Sequence, residues 1–298
     1  MRLILRLVCA KGRCGGSAGL GPTLRPGYQY RRSRRFAPGA RTLRSLGTKP
    51  PRVVSLVPSA SETLVALGAR PVACTRFCEQ AGIPTVGGTK DPDLAAIVGL
   101  APDLVVMNDE ENRLVDAQGL RKAGLAVHEM SPRTLAEVGP AVASLARVVG
   151  APVPHAFDGA AWAAFMERDQ RLRAPGSVDD SSPRAFIPVW RRPWMTLSGA
   201  TYGSDLLAFL GVSNVFAEAA ERYPRVTLED AAARHPDLVL LPSEPYPFRL
   251  RHVAELESAI PGALPLLVDG QDLFWWGIRT PEAVGRVAEA LSAAAGPA

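Results

Sequence analysis

From Pro51 onward the chain is written twice, and this repetition restricts the fold more than any other feature. Residues 51–58 (PRVVSLVP) read as a buried strand running into a turn, and residues 183–189 (PRAFIPV) read the same way 132 positions later. Residues 62–68 (ETLVALG) and 205–211 (DLLAFLG) are amphipathic helical stretches, each stopped by a glycine. Residues 101–107 (APDLVVM) and 235–241 (HPDLVLL) each break a short helix at proline and continue as an unbroken apolar strand. Such strands belong to parallel sheets covered on both faces. The pattern predicts an α/β protein of two similar lobes, each alternating strand and helix around a parallel sheet, facing one another across a ligand cleft.

Between the halves, residues 135–149 and 156–173 read as helical, split by Pro152 and Pro154 and followed by a polar loop over 176–183. The second stretch has few breakers before Pro175-Gly176, so a long, stiff helix there is expected to join the lobes. The predicted division is an extension over 1–50, an N-terminal lobe over 51–133, a helical connector over 134–182 and a C-terminal lobe over 183–298. The halves differ most after their first strand. From strand start to helix-ending glycine the first lobe uses 17 residues and the second 28. The additional residues lie around Trp190, Arg191, Arg192, Pro193 and Trp194, with Tyr202 just beyond. Aromatic rings in a proline-containing loop beyond a strand end suit a ligand platform better than core packing does.

Charge separates the extension from the rest. Of 34 Lys and Arg, twelve lie in residues 1–50, which hold no acid; residues 51–298 carry 22 basic against 29 acidic groups, a net of −7. The folded part is therefore acidic, which argues against nucleic acid as a partner. No apolar run approaches the roughly 18 residues of a spanning helix. The short apolar stretch at 3–8 is interrupted by Arg6, and Ser33-Arg34-Arg35-Phe36 lacks a following apolar region. The extension reads as disordered, and the expected location is the cytoplasm, or the periplasm if the true N-terminus differs.

Catalytic and metal motifs are sparse. No phosphate loop, dinucleotide fingerprint, zincin or nucleophile-elbow pattern occurs. His128, His155, His235 and His252 are scattered. Cys74 and Cys78 have no second pair to complete a zinc site; Cys74 reads as a small apolar residue ending a strand. Neither a metal site nor a catalytic cofactor is expected. The adjacent carboxylates Glu110 and Glu111 leave acid–base catalysis as the minority reading.

Several segments together resemble the helical-backbone metal receptors, the cobalamin- and iron-complex-binding proteins paired with ABC importers. They are PRVVSLVPSASE (51–62), VGGTKDPDL (86–94), NDEENR (108–113), VWRRPWM (189–195), Arg222-Tyr223-Pro224, LPSEPYPF (241–248) and LVDGQDLFWWGIR (267–279). The resemblance covers about residues 51–291 and is greatest to a cobalamin-binding-protein-like subgroup. It implies two Rossmann-like lobes, a rigid linking backbone helix and a cleft lined by loops following the strands; a non-enzymatic, monomeric binding protein is expected. In this chain those loops carry Pro58, Arg76, Glu110 and Arg113 from the first lobe. From the second lobe they carry Trp190, Arg191, Trp194, Tyr202, Glu244, Tyr246, Phe248, Trp275, Trp276 and Arg279. Importer-docking members carry one surface carboxylate per lobe. Glu229 occupies that position in the second lobe, whereas Ala95 and Ala96 stand where the first should be, with Asp93 nearby.

The expected ligand is a cobalamin-type corrinoid. Aromatic faces and mixed-charge groups suit an amide-decorated macrocycle that supplies its own base to the cobalt. Haem usually takes an axial His or Tyr, and the candidate loops offer only Tyr202 and Tyr246. An anionic ferric siderophore would be repelled by Glu110, Glu111, Glu244 and Asp269. Haem and siderophore binding to an importer component stand as the alternative.

Overall fold

Each sequence repeat folds into the same four-stranded parallel sheet. The computed structural model describes residues 50–170 and 182–294. In the first lobe, β1 (Val53–Ser55), β2 (Ala73–Cys74), β3 (Leu104–Met107) and β4 (Val127–Glu129) are ordered β2-β1-β3-β4. In the second, β5 (Arg184–Phe186) is followed by a hairpin, β6 (Pro188–Trp190) and β7 (Met195–Thr196). Then come β8 (Ser213–Asn214), β9 (Leu238–Pro242) and β10 (Leu264–Val268), and the sheet runs β8-β5-β9-β10. Each lobe thus places its second strand, first, third and fourth in the same order, with every pair parallel.

The likeness extends to single hydrogen bonds. Asp103 accepts from the Arg52 backbone N–H at 2.8 Å, and the Arg52 guanidinium donates to Leu100 O at 3.0 Å. Asp237 accepts from Arg184 N–H at 3.0 Å, and that guanidinium donates to Arg234 O at 2.9 Å. Each Pro-Asp dipeptide therefore closes a helix end onto the start of the neighbouring strand, a use of Asp and Pro that the repeat requires in both lobes.

In the first lobe α1 (Pro58–Ala66), α2 (Leu94–Gly99) and α3 (Leu114–Lys122) cover the sheet. The connector holds α4 (Leu135–Val148) and α5 (Gly159–Gln170), with a single 3-10 turn at His155–Phe157 between them. The predicted loop over 176–183 lies largely outside the described residues. In α4, the helix of the first stretch, Leu135, Val138, Val142 and Leu145 form a buried stripe at helical spacing. That stripe belongs to one apolar cluster holding Val53 and Val106 of the first sheet and Ile187, Leu206 and Leu240 of the second lobe. The lobes consequently share a core. The second lobe adds α6 (Tyr202–Phe209), α7 (Leu228–Ala233), α8 (Val253–Ala259), α9 (Gly270–Phe274) and α10 (Thr280–Ala294). Asp205 of α6 accepts from Leu135 N–H at 2.7 Å, fixing the start of α4 to the second lobe.

The additional residues of the second repeat are the β6–β7 hairpin. Residues 222–226 run beside it, with Thr196 N–H donating to Pro224 O and Val226 N–H to Trp194 O, both at 3.1 Å. The hairpin carries Trp190 and Trp194 at the carboxyl side of the second sheet, where open α/β sheets bind ligands. No helix among the described residues is long and apolar enough to cross a membrane.

Candidate functional site: the cleft between the lobes

The first-lobe lip is built on Asn108 and Asn112, which follow β3. Both are buried. Asn112 Oδ1 accepts from Asn108 N–H at 2.9 Å, while its Nδ2 donates to Leu56 O and Thr89 O, both at 3.0 Å. One amide side chain thereby ties together the loops following β1, β2 and β3. Asn108 Oδ1 accepts from the backbone of Glu110 at 3.1 Å and of Glu111 at 2.6 Å. These bonds turn the chain so that two consecutive carboxylates project from a rigid loop. Lys90 Nζ donates to Glu110 O at 2.7 Å, adding the loop after β2 to the same lip.

The second-lobe lip is aromatic. Trp190 meets Tyr246 edge-on at 5.7 Å between centroids, and Trp194 stacks on Phe248 at 6.0 Å with 7° between planes. Tyr246 and Phe248 lie 4.7 Å apart and join the wall into one piece. His252, which sequence reading left aside, completes it at 5.6 Å from both Tyr246 and Phe248. Its Nδ1 accepts from Arg249 N–H at 3.0 Å. Trp190 is 44% exposed and offers a free face. Behind the wall, at the ends of β9 and β10, lies a groove of about 460 Å³ lined by Leu241, Phe248, Leu250 and Leu267.

The lips meet at two places. Tyr223 hydrogen-bonds Glu110, and Arg222 approaches Asp109 at 3.7 Å, while Arg133 also pairs with Asp109. At the other contact Arg279 grips Glu62 through two bonds of 2.7 and 2.8 Å, and Ile278 N–H donates to Thr63 Oγ1 at 3.1 Å.

Carboxylates dominate the charge between the lips. Burial raises the carboxyl groups of Glu110 and Glu244 above their ordinary range; Arg222 opposes the shift at Glu110, and a hydrogen bond from Trp275 opposes it at Glu244. Glu111 is pushed up to about 8 by burial first and the Glu110 charge second. Glu244 also acts on Glu111 across the cleft. Lys90 is lowered by burial, against the pull of Glu111 and Glu110. Burial thus holds these carboxyl groups toward the protonated form, in which a carboxyl donates as well as accepts hydrogen bonds.

The predicted site residues divide into three groups. Glu110, Trp190, Trp194, Glu244, Tyr246 and Trp275 lie at the cleft lips, and Pro58 is buried at the start of α1. The arginines are there too, but each is engaged by the protein's own acids. Arg76 pairs with Asp91 at 3.0 Å, Arg113 with Asp116 at 2.7 Å, Arg191 with Glu255 at 2.8 Å, and Arg279 with Glu62. Each of these four guanidinium groups thus faces an acid of the same chain in the arrangement seen. The third group is core. Tyr202 is 3% exposed, with its hydroxyl 3.2 Å from Thr280 Oγ1, and Trp276 is likewise 3% exposed in the shared core. Neither presents a face to the cleft, because each opens a helix or turn whose next residues pack inward. Phe248 supports the wall from behind rather than forming its surface.

Glu229 is exposed in the first turn of α7, whose cap is Thr227. The corresponding helix of the first lobe is α2, and Asp93 caps it by accepting from Ala96 N–H at 2.9 Å. Asp93 is thus occupied with its own helix. Among the described residues no cluster of His, Cys, Asp and Glu could hold a metal ion.

A family model described as periplasmic binding protein matches residues 53–255. The vitamin B12-binding protein of Vibrio parahaemolyticus serotype O3:K6 is 27% identical over 194 residues, 63% of this chain and 69% of that one. The vitamin B12-binding protein of Pectobacterium carotovorum subsp. carotovorum is 26% identical over 203 residues, 66% and 72% of the two chains. Among solved structures, the periplasmic vitamin B12 binding protein of Vibrio cholerae superposes with a TM-score of 0.67 at 21% identity, covering 83% of this chain and 99% of that one. A periplasmic heme binding protein from Pseudomonas aeruginosa gives 0.66 at 21% identity, covering 84% and 95%. These likenesses establish the two-lobed fold. The periplasmic location of the family overturns the expectation of a cytoplasmic protein, which rested on residues 1–50, all but the last of them outside the described part. With its matched stretch spanning most of both lobes, the chain belongs to the periplasmic binding protein family.

Proposed function

We propose that the chain binds a cobalamin-type corrinoid between its lobes, without transforming it, and hands it to an ABC permease. The observation that carries this reading is the pairing of two unlike lips. One is the joined aromatic wall of Trp190, Tyr246, Phe248 and Trp194. The other is the lip of Glu110 and Glu111, whose carboxyl groups burial holds toward neutrality. A flat macrocycle rimmed by amides needs broad apolar contact and groups that both donate and accept. A strongly anionic complex would need unpaired cations, and Arg76, Arg191 and Arg279 each already face an acid. Relatives named vitamin B12-binding proteins support the same ligand. Glu229 is the carboxylate offered to the permease, from the second lobe alone.

Intrinsic tryptophan fluorescence of the full chain tests the reading against cyanocobalamin, haemin and a ferric catecholate complex. Saturable quenching by cyanocobalamin, lost in Trp190→Ala, is expected. Saturation by haemin or the ferric complex, with none by cyanocobalamin, would replace the ligand while leaving the binding role.

A further inference from the structure

Two thiols stand together where β2 ends at the first-lobe lip, and neither the shared core nor the ligand reading needs the second of them. Cys74 closes the strand and is 1% exposed, while Cys78 is half-buried. The chain reverses between them, with Cys78 N–H donating to Thr75 O at 3.0 Å. This turn brings the Cys78 sulfur 3.3 Å from Thr75 Oγ1, on the residue next to Cys74, and 3.1 Å from Ser61 Oγ of α1. A tight reversal is what allows residues four apart to approach the roughly 4.4–6.8 Å Cα spacing of a disulfide. Cys74 alone would be an inert core residue; a second thiol over it, held by two hydroxyls, is poised for chemistry.

We propose that Cys74 and Cys78 are a redox modification site that closes to a reversible disulfide at the edge of the cleft. The proposal is independent of the ligand's identity. Family location outside the cytoplasm supplies an oxidising setting. Cys78 is the accessible member, so its thiolate attacks a small-molecule or protein disulfide, forming a mixed disulfide and releasing one thiolate. Cys74 then gives up its proton and attacks the Cys78 sulfur, releasing the second thiolate. Two protons and two electrons leave the pair, and the oxidant is reduced to two thiols. Burial pushes the Cys74 thiol up to about 12, so the second step is the slow one.

Closure would be felt on both lips. The bridged turn carries Arg76, paired to Asp91, and Phe77, which is 51% exposed beneath the Arg76 guanidinium. Turning toward Cys74 also draws the Cys78 sulfur from Ser61. The next residues of α1, Glu62 and Thr63, hold Arg279 and Ile278 of the second lobe.

Trypsin makes the test direct, because it cuts after Arg76, between the two cysteines, whereas Arg70 precedes Pro71 and resists. The full chain is incubated with glutathione disulfide, alkylated, digested without reductant and mapped by mass spectrometry. Peptides 53–76 and 77–90 are expected as one linked species that separates on reduction. Cys78→Ser, whose hydroxyl keeps the bonds to Thr75 and Ser61, is expected to abolish the linked species. Separate peptides bearing the alkylating group or glutathione, or Cys78 joined to Cys9 or Cys14, would overturn the proposal.

Discussion

Replacing Gly277 with alanine should damage the protein more than a surface glycine replacement, because two separate costs coincide there. Gly277 lies at φ +125°, and a Cβ would stand 2.3 Å from Thr63 Oγ1 across the lobe interface. The backbone region alone costs a non-glycine residue about 1–3 kcal/mol. The close contact adds about 1–3 kcal/mol, since Thr63 is fixed by its bonds to Ser59 O and Ile278 N–H. Gly68 supplies the control: it has φ +74° with nothing within 4 Å of its added Cβ, so Gly68→Ala bears only about 1–2 kcal/mol. Urea unfolding of the two variants should place Gly277→Ala lower in stability than Gly68→Ala by about 1–4 kcal/mol, the contact cost plus any excess backbone strain. Adding Thr63→Ala should recover part of the loss, a coupling of about 1–2 kcal/mol, because it removes the clashing oxygen. Equal losses for the two glycine variants, or strictly additive losses for Gly277→Ala and Thr63→Ala, would refute the described interlobe contact.

Other consequences follow from the lips. Asn112→Ala should cost about 2–4 kcal/mol in thermal or urea unfolding, because it strands Asn108 N–H, Leu56 O and Thr89 O in a buried place. Glu111 has a folded-state pKa of about 8 against an ordinary 4.5, so the folded state holds a proton that the unfolded state has lost. Stability should therefore fall as pH rises from about 4.5 to about 8, and Glu111→Gln should flatten that fall in urea midpoints measured across the interval. Trp190→Ala and Tyr246→Ala should each weaken corrinoid binding by roughly 1–3 kcal/mol, about 5- to 150-fold in Kd, whereas Tyr202→Phe should leave Kd unchanged because that ring faces the core.

The repeat was readable because strand and helix patterns are local. Val53 to Ser55 and Arg184 to Phe186 sit in runs whose apolar character specifies a covered strand, and both became the second strand across in matching sheets. The hairpin's aromatic rings were readable as an addition to one copy. The fate of the arginines was not. Arg191 finds Glu255 and Arg279 finds Glu62 across 64 and 217 positions, and nothing local distinguishes an arginine awaiting a ligand from one already paired. Tyr202 and Trp276 are buried for a related reason: residue type suggests a ligand face, while the first turn of α6 carries one ring inward and the turn after α9 carries the other. Asn112 and Tyr223 carry the lip but were not singled out as site residues. The signal for Asn112 was its spacing in Asn-x3-Asn directly after a strand end, the arrangement in which one amide reads several backbone groups. Tyr223 stands in the Arg222-Tyr223-Pro224 segment, but its bond to Glu110 is visible only once the fold brings residues 222–226 alongside the hairpin.

Calorimetric titration of the full chain with cyanocobalamin, haemin and a ferric catecholate complex, in parallel, tests the central claim most directly. A single saturating site for cyanocobalamin, weakened in Trp190→Ala and Tyr246→Ala and indifferent to Tyr202→Phe, is the expected result. Saturating heat from haemin or the ferric complex with none from cyanocobalamin, or cyanocobalamin binding untouched by loss of both cleft rings, would contradict it.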